Sequence, residues 1–389
     1  MQDYETKTGG KLLAIPHNGN LSNGRMFEET TFTGGPLTRE YAEKRARWER
    51  LFELVQFKGQ SESHPSLSPK DEFANWDLWD ASNLNAVPKK PGMYRTEYWR
   101  EALKSGLRLE ASLGANPFKY GAESGTDTHT GLTTAEEDNF WGKFKGLEPS
   151  ATRWEPIVIG TKRGSDQSAA GYTGVWSTAN TREALWDAMM RRETFSTTGP
   201  RMTVRFFGGF EFADGDAGGD LVKAGYEKGV PMGGDLRAAP AGKAPTFLIA
   251  AMKDPEGANL DRVQVIKGWL GADGNTQEKV FDVKWSGDRK PGADGKLPAV
   301  GSTVDLKTAT YTNSIGATEL VSYWTDPEFD ASQRAVYYVR VLEIPTPRWT
   351  AYDVVRFKSK MPASVAMTLQ ERAFSSPIWY TPTQQLASN

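Results

Sequence analysis

From about residue 214 the chain reads as short runs rich in Val, Tyr, Trp and Thr, at 246–252, 262–269, 279–285, 319–324 and 335–342, separated by Gly, Asp and Lys. That rhythm leaves little choice of architecture. Short β-prone runs broken by turn residues satisfy their backbone groups on one another, which predicts an antiparallel sheet or sandwich with no helix. The stretch Gly287-Asp288-Arg289-Lys290-Pro291-Gly292-Ala293-Asp294-Gly295 predicts an exposed loop between two of these strands.

The first half has a different texture. Residues 11–15 predict a short parallel strand, residues 38–50 a charged surface helix capped by Thr38, and residues 51–57 a second strand. Tyr98, Trp99, Ala102, Leu103 and Leu107 recur at helical spacing within 95–113, and Phe118-Lys119-Tyr120-Gly121 predicts a third strand. Residues 181–193 predict an amphipathic helix that buries Leu185, Ala188 and Met189. Strands alternating with helices belong to βα architecture, where ligands gather beyond the C-terminal ends of the strands.

The 389 residues exceed one ordinary domain, and 38% hydrophobic residues are enough for a sizeable core. The patterns divide the chain into residues 1–215 (βα), 216–345 (β-rich) and 346–389, a return segment with the apolar, Pro-bounded Ser376-Pro377-Ile378-Trp379-Tyr380. Net charge is −2, with 47 basic and 49 acidic residues, so nothing marks a nucleic-acid partner. No apolar run approaches the ~20 residues of a membrane span. With no cysteine, disulfides and thiolate metal sites are excluded, and any metal must sit on His, Asp or Glu.

The chain holds three histidines, and each follows one of the three strands expected before residue 130, while a further strand expected at 203–207 has none after it. His17 stands in Pro16-His17-Asn18-Gly19-Asn20, His64 in Ser61-Glu62-Ser63-His64-Pro65, and His129 in Gly125-Thr126-Asp127-Thr128-His129. A lone loop histidine is usually a surface group, but three in polar motifs after strands predict ligands that converge. In extended backbone residues i and i+2 point the same way, so Asp127 and His129 can face one ion. The expected metal set is therefore His17, His64, Asp127 and His129. Glu62 and Glu53 are candidates to orient a histidine, and Asn18 to hold substrate or shape its loop.

Together these motifs resemble the PHP (polymerase and histidinol phosphatase) metallohydrolase superfamily, and more specifically a large bacterial PHP-related family of undetermined function. Pro16-His17 resembles its Pro-His motif, His64 the following ligand, and Gly125-Thr126-Asp127-Thr128-His129 its closing Gly-Ser-Asp-X-His. Lys58-Gly59-Gln60-Ser61-Glu62-Ser63-His64-Pro65, Asn180-Thr181-Arg182-Glu183-Ala184 and Ser376-Pro377-Ile378-Trp379-Tyr380 extend the likeness over nearly the whole chain.

The resemblance implies the C-terminal part of a PHP-type distorted βα barrel with an appended antiparallel β region, and a return segment, 346–389, whose Trp379 packs back on the barrel or at the domain junction. It implies divalent metal (Zn, Mn or Fe) and hydrolysis of a small-molecule substrate, phosphoester by default or else an amide or other ester, by metal-activated water. The superfamily's His-X-His, Asp-His and acidic ligands precede the segment matched here, so the chain reads as a portion of a longer metallohydrolase, inactive alone. Full members often carry an export signal, which points toward the periplasm. A rival expectation is a non-catalytic β-rich binding module with vestigial histidines.

Overall fold

The computed structural model describes residues 1–382. Near its N-terminus, helix α1 (Arg39–Trp48) begins where Thr38 Oγ1 accepts the Tyr41 N–H at 3.2 Å. Strand β1 (Leu51–Gln56) follows, then α2 (Trp99–Leu113) and β2 (Gly121–Ser124). β1 and β2 pair in parallel, with Glu53 opposite Glu123. The strand expected at 11–15 is not one. It makes a single parallel bridge, Ala14 to Glu49, and Ile15 is exposed. The physical reason is that it has β1's side as its one backbone neighbour, through Ala14 N–H to Trp48 O and Glu53 N–H to Pro16 O. The third strand lies three residues beyond its expected start, at 121, because Asn116 Oδ1 takes the Phe118 N–H and turns the backbone there.

Beyond β3 (Thr173–Val175), α3 (Arg182–Met190) and β4 (Thr194–Thr197), the molecule is mostly sheet. β5 (Thr203–Gly209), β6 (Thr246–Met252) and β9 (Glu319–Thr325) lie antiparallel in a four-stranded sheet with Gly229–Pro231. β7 (Leu260–Leu270), β8 (Thr276–Trp285), β10 (Ala335–Glu343), β11 (Arg372–Ser375) and β12 (Ile378–Thr381) belong to an eight-stranded sheet that also takes in β3, β4 and Asp235–Arg237. The strands on either side of residue 215 thus share both large sheets. Among the described residues no sheet closes into a barrel, and the fold is mixed α/β dominated by sheets.

Period-two alternation explains the layering. In β10, Tyr337, Val339 and Val341 face the four-stranded sheet, packing with Val204, Phe206, Phe247 and Ile249. Val336 and Tyr338 face the other way, onto Trp99, Ala102 and Leu103 of α2 and Phe52 and Leu54 of β1. The eight-stranded sheet is therefore a shared wall, apolar on both faces, between a β-sandwich core and an α/β core.

One expectation fails in the β-rich half, where helix α4 (Leu221–Lys228) sits among the strands. Asp220 Oδ1 caps it through the Lys223 N–H, and Leu221 and Ala224 bury against Phe207 and Leu248. Its apolar pair is too short a signal to stand out among turn residues. No helix of the described residues is long and apolar enough to cross a membrane.

Trp379 is 1% exposed, inside the α/β core, with the Arg192 guanidinium 4.9 Å from its ring centre. Trp379→Ala should destabilise the chain by ~3–5 kcal/mol, measured by urea denaturation. A variant that melts like the parent would show that this segment does not hold the layers together.

Candidate functional site

The segment at 14–16, β1 and β2 run side by side in one direction, so the loops leaving their C-terminal ends meet. His17 stands in the first loop. Its Nδ1 lies 2.7 Å from Glu53 Oε2, and the same oxygen accepts the Asn18 N–H at 3.3 Å. Glu53 thereby fixes both the ring and a tight turn in which Asn18 has φ 62°. The ring's Nε2 is directed at Asp127 Oδ2, 3.8 Å away. Asp127 stands in the loop after β2, also with positive φ (52°). Its other oxygen, Oδ1, lies 3.1 Å from His129 Nε2.

Two lysines complete the group. Lys58 and Lys143 both pair with Asp127 Oδ2, the latter at 2.5 Å. Their ammonium groups also stand 4.3 Å and 4.1 Å from the centre of the buried Phe57 ring. Burial pushes the Asp127 carboxyl up, but the hydrogen bonds from Lys143 and Lys58 outweigh it and hold the group below the usual carboxylate range. Lys143 is brought down to about 8, first by burial and further by Lys58, against the pull of Asp127. Across β1, Glu123 is pushed up to about 7 by burial and by the facing Glu53.

His64 belongs elsewhere. It is buried, with Nδ1 2.6 Å from Ser66 Oγ and Nε2 3.3 Å from Asp80 Oδ2, and its ring stacks on Tyr94 at 4.2 Å. Among the described residues no hydrogen bond or ion pair links it to the Asp127 group. Glu62, expected to orient a histidine, instead pairs with Arg100 and accepts the Tyr338 hydroxyl. Its burial explains the difference: a carboxylate at 2% exposure takes the nearest guanidinium. Asn18 does touch the site's frame, its Oδ1 accepting Gln56 Nε2–H at 3.0 Å.

Sequence reasoning thus brings together His17, Asp127 and His129, and misses Lys58, Lys143 and Glu123. Lys58 opens one of the recognisable phrases, and Glu123 stands two residues past the expected third strand. Nothing in the sequence marks Lys143, which arrives from a loop 16 residues beyond Asp127.

Residues 1–382 match the family described as "Protein of unknown function (DUF3604)". The chain belongs to this family. No curated protein and no solved structure matches it.

The donor set suits a divalent cation in kind, with two imidazoles and a carboxylate, and with Glu53 on His17 Nδ1 in the manner of the outer groups that orient metal-bound imidazoles. In placement the set is open. His17 and His129 address different oxygens of Asp127, and lysines supply the positive charge. Accordingly, among the described residues no three such side chains stand as a ready ligand group.

Glu123 gives a stability test. The folded state holds its proton to about 7, whereas an unfolded glutamate releases it near 4.5. The folded state thus binds more protons between those values, and stability falls as pH rises through that window, by on the order of 3 kcal/mol at most. Glu123→Gln should melt higher than the parent at pH 8 and close to it at pH 4.5, by calorimetry. An equal effect at both pH values would sink this account of Glu123.

Proposed function

We propose that the chain carries part of the site of a PHP-type metal-dependent hydrolase, acting on a small anionic substrate with phosphoester as the default. The observation that carries this reading is the meeting of His17, Asp127 and His129 beyond the ends of parallel segments, with Glu53 behind His17. The parallel segment at 14–16 with β1 and β2 is what favours a part-barrel over a purely β module. His17, Asp127 and His129 would hold the ion, and His64, held by Ser66, Asp80 and Tyr94, would support the fold away from it. A bound divalent ion would supply an activated water and neutralise charge on the substrate oxygen.

The chain's own residues have distinct parts. Glu53 holds the His17 ring with Nε2 presented to the site. Phe57 sets the two lysines side by side, and Lys58 and Lys143 can take a phosphoryl or carboxyl group by charge-assisted hydrogen bonds once Asp127 turns to an ion. In this reading the lysines compete with metal for Asp127.

The test follows from that competition. Zinc or manganese binding, followed by calorimetry at pH 7, should be weak in the parent and lost in Asp127→Asn. It should tighten by about tenfold or more in Lys143→Met, since 1.4 kcal/mol of relieved competition is tenfold. Hydrolysis of nitrophenyl phosphate mono- and diesters by the chain alone should be slight. Metal affinity that falls in Lys143→Met, or is indifferent to Asp127→Asn, would refute the assignment.

A further inference from the structure

A second polar site lies away from the Asp127 group. Several segments far apart in sequence meet around a cavity of about 240 Å³, among them the 135–138 loop, the turn at 254–258, the end of β10, and the residue just before β11. Its walls bring Glu137, Asp254, Glu343 and Glu371 together with Tyr311 and Tyr352. Carboxylates in such number are ordinarily matched by basic side chains or donors. Here one of them is not.

Glu343 is 1% exposed, and its Oε1 has no hydrogen-bond partner. Glu371, at 3% exposure, accepts the Thr198 hydroxyl, and Glu137 accepts the Trp349 N–H at 2.5 Å. Among the described residues no cation pairs with Glu343 or Glu371, although Arg201 also lines the cavity. Lys253 Nζ donates to the carbonyls of Asp254, Pro255 and Gly257, and Arg348 pairs with Asp77 at 2.6 Å. Arg201, largely exposed, reaches Asp254 and Glu256 at 3.4 Å each. Burial drives the Glu343 carboxyl well above its usual range, with Asp254 adding to it, and burial with Glu137 does the same for Glu371. A positive group entering the cavity would reverse both effects.

We propose that this cavity binds a small organic cation bearing an ammonium or guanidinium group, with Glu343 as its principal partner. A bare metal ion fits less well, since among the described residues no three carboxylates converge as ligands. The space also exceeds one ion and falls just under the ~300–1,000 Å³ of typical small-molecule sites. Tyr311 and Tyr352 line the same cavity, and aromatic rings of this kind attract organic cations. The unpartnered Glu343 oxygen supplies the acceptor that a multi-proton donor would fill.

The test is calorimetric titration of the full chain at pH 7.5 and fixed ionic strength with agmatine, 1,4-diaminobutane and, separately, calcium chloride. Agmatine or diaminobutane should bind saturably at one site, and Glu343→Gln should weaken that binding about tenfold or more, the scale of one lost charge-assisted hydrogen bond. Glu371→Gln is the second variant should Glu343→Gln fail to fold, and Tyr311→Leu should weaken binding without removing it. Three results would overturn the proposal. They are no saturable binding of either amine, amine binding unchanged in the carboxamide variants, or one-site calcium binding lost in Glu343→Gln while the amines do not bind.

Discussion

The layers of this molecule are joined through a buried ion network. Arg100 of α2 donates to Glu62 and to Asp71, and Arg340 of β10 donates to both oxygens of Asp71, at 2.9 Å and 2.6 Å. Tyr338 adds its hydroxyl to Glu62, and Gln264 of β7 accepts from Arg340. All of these side chains are nearly or wholly buried. Burial would raise the Glu62 and Asp71 carboxyls, but Arg100 and Arg340 outweigh it and both lie below the usual range. Such a network need not stabilise the fold against an apolar alternative. Losing one member, however, strands a buried charge, at a cost of about 3–5 kcal/mol.

That network reaches the Asp127 group through the backbone. Glu62 and its neighbours hold the 60–64 loop against α2, where the Trp99 and Arg100 N–H groups donate to Ser61 and Glu62 carbonyls. Ser61 Oγ in turn accepts the Asn20 N–H at 3.1 Å, and Asn20 Nδ2–H donates to Lys58 O at 2.9 Å. The loop that carries His17 is thus tied to the loop that carries Lys58, and both to the core. Rigid supports of this kind are what a binding constellation needs to keep its geometry.

The sequence made the local structure legible wherever a period and a cap coincided. α1 and its Thr38 cap and the strand at 246–252 stand where the pattern puts them, whereas α3 starts as expected but ends at Met190, short of 193, and fully buries only Ala188 of its expected apolar face. Pairing was not legible. β11 and β12 follow helix α5 (Trp349–Phe357), yet they pair with β10 and, through β4, join the first half to the second. Such long-range choices depend on which apolar faces find each other, and one strand's alternation does not name its partner. The same limit applies to the site. Strand-then-histidine located His17 and the Asp127–His129 pair, but a polar phrase looks alike whether its carboxylate meets a metal ligand or an arginine. Glu62 met Arg100. Lys143 was invisible because its role arises only from where a loop of irregular structure returns.

Asp127 and Glu343 show how far environment outweighs residue type. Both are drawn out of water, and burial pushes both carboxyls upward. Asp127 has two ammonium groups in contact and ends below its ordinary range, whereas Glu343 has an unpartnered oxygen, Asp254 as a charged neighbour and a lysine committed to carbonyls, and ends well above it. The overall charge of −2 conceals this contrast, because the balance of 47 basic and 49 acidic residues is not kept locally. At Asp127 an incoming cation must displace a lysine, which weakens the site for metal and would free that lysine for an anion. At Glu343 no lysine need be displaced, and an incoming cation instead displaces the proton that the raised carboxyl holds. The same functional group thus stands in two opposite electrostatic settings, and what separates them is what each buried carboxylate already has beside it.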